Sequence, residues 1–208
     1  MKNIYLYLIL FFTVLLAALT GCGRTEKIVI ITTNDMHSSF ERFPRLAQVV
    51  ADYRADKSVD HVLLIDAGDR WTGNPYVDMA EEPGMPIIEL MNELGYDYAT
   101  LGNHEFDMGM ELLADRIDRS KFKNIIANAD FTATPLSKMA PYVIFKAGKT
   151  RVAMFGLITN AVNGHPAGKD ENFVGAKFFD PVETAVKYRH LRDSSDLFIA
   201  LTHTGIDI

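Results

Sequence analysis

Four short blocks of the 208-residue chain concentrate side chains that bind metals and move protons: Asn34-Asp35-Met36-His37, Asp66-Ala67-Gly68-Asp69, Gly102-Asn103-His104-Glu105-Phe106-Asp107 and Thr202-His203-Thr204-Gly205. Asp35, Asp69 and Asn103 are successively 34 residues apart, and two equal intervals carry little weight by themselves. Their company carries more. Carboxylates, imidazoles and an amide together are the donors that a pair of Zn, Mn or Fe ions would use, whereas magnesium or calcium alone rarely recruits imidazole. Such a pair serves attack on a phosphate ester, whose oxygens repel an anionic nucleophile. Two cations neutralise the phosphoryl group, lower the pKa of a bound water and steady the leaving oxygen. A carboxylate can bridge the two ions because it has two oxygens with several lone pairs. Asp69 is the candidate for that bridge.

Each residue also has a plainer reading. Asp35 or Asn103 taken singly could satisfy loop amides. A location shared with His37, Asp69 and His203 at predicted strand ends favours ligation instead, because those ends converge on the ligand crevice of an open α/β sheet. Glu105 reads as a solvated or helix-capping carboxylate, and Asp66 as a brace or as a group orienting a ligand. Gly68, Gly102 and Gly109 read as turn residues. His61, His165 and His190 lie outside the four blocks and read as surface or packing residues, and Phe40 as a loop or core anchor.

The elements that must position these blocks follow from periodicity. Residues 27–32 and 61–65 are β-branched or aliphatic runs suited to strands buried on both faces, and each runs into one of the blocks. Residues 96–100 form a weaker strand signal, 124–128 a short one, and 197–201 a last buried strand before Thr202-His203. Between them Leu46, Val49, Val50 and Tyr53 recur at helical spacing, Pro86 and Gly95 bracket a second helix, and residues 110–117 suit a third. Residues 141–146 and 151–155 predict a hairpin about a four-residue turn. Asp180, Pro181 and Glu183 supply an N-cap, a proline at the first helical position and a capping box. Alternating strands and helices argue for one layered α/β domain.

The chain opens differently. Lys2 precedes sixteen uncharged residues, Ile4 to Leu19, too few for an ordinary membrane span but suited to the apolar region of a signal peptide. Leu19-Thr20-Gly21-Cys22 resembles a bacterial lipobox, and Cys22, the only cysteine, has no disulfide partner in the chain. The expectation is a lipoprotein signal over residues 1–21, a lipidated Cys22 with a short tether over 22–26, and a catalytic domain over 27–208. Such a protein would be anchored outside the cytoplasmic membrane of a bacterial envelope, on the periplasmic side or the cell surface. Loss of residues 1–21 removes one lysine and no acid, taking the formal charge from −6 to −7. That balance, without a basic run, disfavours a polymeric nucleic acid as partner.

In order and type, the four blocks resemble the calcineurin-like metallophosphoesterase superfamily. The extended Gly102-Asn103-His104-Glu105-Phe106-Asp107 form, preceded by Gly95-Tyr96-Asp97-Tyr98, is similar to the branch of 5'-nucleotidases, UDP-sugar hydrolases and cyclic-nucleotide phosphodiesterases. The resemblance implies a four-layer α/β/β/α sandwich. It implies that Asp35 and His37 ligate one metal, that Asp69 bridges, and that Asn103 and His203 ligate the other. It further implies that His104, oriented by Asp107, acts beside the leaving group. The expected reaction is hydrolysis of nucleoside 5'-monophosphates, with 2',3'-cyclic nucleotides or UDP-sugars as alternative substrates and a non-catalytic metal-binding lipoprotein as the alternative from another class. Members of the family complete the site with a later Gly-His-x-His block and a separate C-terminal substrate-binding domain. Neither is found in these 208 residues, so the domain is expected to be incomplete at its C-terminus.

Overall fold

A computed structural model describes residues 25–205; the signal-peptide and Cys22 expectations lie outside the described residues. Two sheets are built from runs that bury alternate residues on opposite faces. The first is parallel throughout, in the order β1 (Ile28–Thr33), β2 (His61–Asp66), β3 (Tyr98–Ala99), β4 (Lys123–Asn124). The second contains β6 (Tyr142–Ala147), β7 (Thr150–Ile158) and β9 (Leu197–His203), with β6 antiparallel and β9 parallel to β7. A small antiparallel pair joins β5 (Ala129–Asp130) to β8 (Lys177–Phe178).

The period of two in β2 assigns the layers. Leu64 faces the helical side, packing in one core with Val50, Ile87, Ile88, Met91, Leu101 and Leu113. Leu63 and Ile65 face the other way, into a second core with Ile125, Met154 and Leu201. Helices α1 (Phe43–Ala55), α3 (Met85–Leu94) and α4 (Met110–Arg119) contribute buried residues to the first core, and the one-turn α2 (Pro75–Asp78) adds Val77. Beyond the second sheet lies α5 (Pro181–Tyr188), whose Tyr188 stacks on Phe155 of β7 at 6.0 Å. The layers run α/β/β/α, as the resemblance implied. Gly156 permits the close approach of the sheets: a Cβ there would lie 2.1 Å from the Ile125 carbonyl oxygen, and Ala127 N–H donates to the Gly156 carbonyl.

Helix boundaries follow the sequence signals closely. Asp180 accepts the Glu183 N–H at 2.8 Å, and left-handed Gly84 and Gly95 flank α3, with Pro86 in its first turn. Four expectations are corrected. β1 is an edge strand rather than one buried on both faces, leaving Ile30 41% exposed. A strand's apolar run reads the same at an edge as at the centre. In α1 only Phe43 and Val50 are buried, while Val49 and Tyr53 are exposed, so the apolar stripe is narrower than its periodicity suggests. Ala147 pairs with Thr150, which shortens the hairpin turn to Gly148-Lys149. The stretch expected as one strand over 124–128 instead leaves the first sheet after Asn124 and reaches the small pair at Ala129.

Glu26, at the end of the expected short tether, is fixed to the β6–β7 turn. Its carboxylate accepts the backbone N–H groups of Lys149 and Thr150, at 2.9 and 3.1 Å, together with the Thr150 hydroxyl at 3.0 Å. These bonds hold its carboxyl below the usual glutamate value, the Lys149 N–H contributing most. Among the described residues no helix is long and apolar enough to cross a membrane.

Candidate metal centre

Parallel strands deliver their C-terminal ends to one edge of the sheet, and the polar blocks lie there. The β1–β2 pairing continues beyond the strands as a zipper of loop hydrogen bonds: Asp35 N–H to Gly68 O at 3.1 Å, His37 N–H to Asp69 O at 3.0 Å and Ser38 N–H to Arg70 O at 2.9 Å. These loops are strained. Asp35, His37, Ser38 and Asp69 have φ of 49°, 44°, 59° and 53°, a region that costs a non-glycine residue roughly 1–2 kcal/mol each. Such strain persists only where surrounding contacts over-determine it, and here it coincides with ligand-type residues.

Two groups of ligand-type side chains share Asp69: Asp35, Asp69 and His203 in one, and His37, Asp69 and His104 in the other, with donor atoms within 4.8 Å of one another. Asp69 Oδ2 is 3.2 Å from His203 Nε2 and 3.9 Å from His37 Nε2, and Asp35 Oδ1 is 3.7 Å from His37 Nε2 and 4.0 Å from His203 Nε2. The other oxygen of Asp69 accepts the His104 N–H at 2.9 Å. Gly102 makes room for this carboxylate, since a Cβ there would fall 2.0 Å from Asp69 Oδ1. The sequence suggested a turn at Gly102; close approach by Asp69 is what the structure requires.

The imidazoles are preset. His37 Nδ1 lies 3.0 Å from the Thr72 carbonyl and His203 Nδ1 lies 3.0 Å from the Ala67 carbonyl. A carbonyl only accepts, so each Nδ1 is a donor and each Nε2 faces the carboxylates. With Nε2 free of its proton, this is the tautomer that metal-ligating histidines use, fixed by the second hydrogen bond. The donor sets therefore fit two metal ions sharing one carboxylate. Asn103 is half-buried before the 3-10 turn His104–Phe106, with no side-chain capping bond.

His104 and Asp107 meet as expected, Nδ1 to Oδ2 at 2.7 Å. Thr72, which no sequence signal singled out, donates its hydroxyl to the same Asp107 oxygen at 2.6 Å. Burial alone would lower the His104 pKa, but the Asp107 hydrogen bond and the Asp69 and Asp107 charges raise it above its ordinary value. Burial opposes the charge on Asp69 in the same way, yet the bonds from His203 and the His104 N–H hold its carboxyl below the usual range.

Glu105 departs from its expected role. It is fully buried rather than solvated, and accepts the N–H groups of Asp69, Arg70 and Gly102. Arg70, also fully buried, donates to Asp66 Oδ2 at 3.0 Å, to Asn124 Oδ1 at 3.0 Å and to the Thr100 carbonyl. Asp66 is thereby a loop brace. Arg70 was missed because arginine is ordinarily exposed; two acids converging at strand ends were the available hint of a buried cation. His165 pairs with Asp170 and stacks on Phe173, and His190 bonds the Lys187 carbonyl. His61 lies against the Glu26 clamp at Gly148; none of these three joins a metal-ligand group among the described residues. Phe40 is 38% exposed and meets Tyr76 edge-on, so it anchors neither the loop nor the core deeply.

Strand-end carboxylates and imidazoles grouped about one shared carboxylate, on an α/β/β/α sandwich, form a donor set suited to two metal ions. Comparison with known proteins agrees. The family model for calcineurin-like phosphoesterases matches residues 28–207, and the chain belongs to that family. It is 32% identical to a 5'-nucleotidase of Vibrio cholerae, over 92% of this chain and 38% of that protein. It is 31% identical to a 2',3'-cyclic-nucleotide 2'-phosphodiesterase/3'-nucleotidase of Haemophilus influenzae, over 88% of this chain and 32% of that protein. The Haemophilus influenzae NAD nucleotidase structure superposes with a TM-score of 0.72 at 28% identity, covering 85% of this chain and 38% of that one. The chain thus spans about one third to two fifths of the length of such relatives.

A pH dependence follows from His203. Burial would lower its pKa, but the hydrogen bond and charge of Asp69 raise it to about 9 in the metal-free protein. Its contribution to metal-free stability is therefore complete below the unfolded value and lost as pH rises through about 9. A metal must displace the Nε2 proton below that point. Calorimetric titration with Mn²⁺ at pH 7 in buffers of different ionisation enthalpy is expected to show proton release, and affinity should rise with pH until about 9. Binding without proton release at pH 7 would contradict this account of His203.

Proposed function

We propose that this chain carries the metal-binding part of a phosphate-ester hydrolase that converts nucleoside 5'-monophosphates to nucleoside and inorganic phosphate. The carrying observation is the Asp69 carboxylate common to both ligand groups, with the hydrogen-bonded His104–Asp107 pair alongside. Asp35 and His37 are assigned to one ion, Asn103 and His203 to the other, and Asp69 to both. Two divalent ions of the Zn, Mn or Fe type would neutralise the phosphoryl oxygens and activate water.

The chain's own groups do the rest. Asp107 and Thr72 orient the His104 ring, and the raised affinity of that imidazole for its proton suits it to stabilise phosphoryl charge or donate to the leaving oxygen. The geometry also groups His104 with His37 and Asp69, so two substitutions separate ligand from proton donor. His104→Asn should keep both metals and lose about 10²- to 10⁴-fold in kcat. Asp69→Asn should lose metal and turnover together. Loss of a metal from His104→Asn, measured by elemental analysis, would make His104 a ligand instead.

The 5'-nucleotidase of Vibrio cholerae and the cyclic phosphodiesterase of Haemophilus influenzae match almost equally well, so cyclic nucleotides form the second reading. Assay with Mn²⁺ or Zn²⁺ against AMP, 2',3'-cyclic AMP, UDP-glucose and bis(p-nitrophenyl) phosphate should give fastest release from AMP. Metal binding without hydrolysis of any of the four would favour the non-catalytic metal-binding lipoprotein.

An envelope location, with lipid on Cys22 and the domain outside the cytoplasmic membrane, is supported by Leu19-Thr20-Gly21-Cys22 after the uncharged run. Mass analysis of the mature N-terminus is expected to find an acylated Cys22; an intact, unmodified Met1 in membranes would overturn it.

A further inference from the structure

We infer that Glu105 is a positioning residue that fixes the bridging Asp69 before any metal arrives. This rests on the two-metal reading. The Glu105 carboxylate is fully buried and receives three backbone donors: Asp69 N–H at 2.9 Å, Arg70 N–H at 2.9 Å and Gly102 N–H at 2.5 Å. It thus ties the loop after β2 to the loop after β3, the two segments that carry Asp69 and Asn103–His104. Beside it, at 3.8 Å, lies the buried Arg70 guanidinium, a cation it shares with Asp66.

Two features make the contact directional. Asp69 stands at φ 53°, and the N–H that Glu105 holds is its own, so the bond acts on the torsions that aim the carboxylate. The same clamp brings Gly102 against Asp69 and places the His104 N–H on Asp69 Oδ1, leaving Oδ2 to face His203. An ionised carboxylate offers only acceptors and can satisfy all three donors. Asp69 and Gly102 donate to one oxygen and Arg70 to the other, so glutamine in the same volume must set its NH₂ group against the Arg70 N–H or against the Asp69 and Gly102 pair. Either way a bond of the Asp69–Arg70 segment is lost and the clamp on Asp69 loosens.

The test is Mn²⁺ titration of folded, metal-free Glu105→Gln beside the unsubstituted chain, with circular dichroism and metal-free Tm as folding controls. Affinity is expected to fall about 10- to 100-fold, the range for groups that orient metal ligands. Turnover should return toward the original kcat at saturating Mn²⁺, with substrate KM unchanged. A merely structural role would lower Tm yet leave the Mn²⁺ Kd of the folded fraction within twofold, and that result would overturn the inference. Hydrogen exchange on the unsubstituted chain gives a measurement that survives misfolding of the variant. The amides of Asp69, Arg70 and Gly102 should be protected already without metal; protection that appears only with Mn²⁺ would also overturn it. Failure of the unsubstituted chain to bind Mn²⁺ would remove the two-metal reading, while the exchange result would still decide whether Glu105 fixes the loops.

Discussion

The buried guanidinium of Arg70 is the constraint on which the site depends. It touches three strand-end segments through Asp66, Thr100 and Asn124, and it lies between the buried acids Asp66 and Glu105, at 3.0 and 3.8 Å. Removing one partner from a buried ion pair costs roughly 3–5 kcal/mol, because the remaining charge is left in a poorly polarisable interior. The first sheet therefore cannot settle fully unless these loops come together. Trp71 follows directly, buried against Gly84 and donating its indole N–H to the His104 carbonyl at 3.1 Å. The core side chain next to Arg70 thus also holds the backbone of His104.

The same connection explains how the strained loops survive. Four left-handed non-glycine residues in two short segments would relax if each were held only by its own turn. Instead the loop zipper of residues 35–38 with 68–70 and the clamp of Glu105 on residues 69, 70 and 102 spread the cost over many bonds. The ligand atoms then converge before binding, so little ordering entropy remains to oppose the ions.

Much of this arrangement was legible in the sequence because strand ends and ligand chemistry are both local signals. The apolar runs before Asp35, Asp69 and His203, and the cap residues at Asp180 and Pro181, are written in adjacent residues. The roles of Glu105 and Arg70 are not. Glu105 lies three residues from Gly102 but more than thirty from Asp69, and only the β2–β3 pairing brings its three donors together. Arg70 looks like any surface arginine until both acids beside it are known to be buried. Edge exposure of β1 was hidden for a similar reason, since the residues of a strand do not record how many neighbours it has.

The clamp of Glu26 on the β6–β7 turn lies at the other end of the molecule. β1 starts two residues later and runs six residues, about 20 Å at 3.3 Å per residue, before the first ligand loop. Because β1 and the β6–β7 turn belong to different sheets, this one carboxylate staples the two sheets together at the end remote from the ligand loops, so the layers are pinned at both ends of β1.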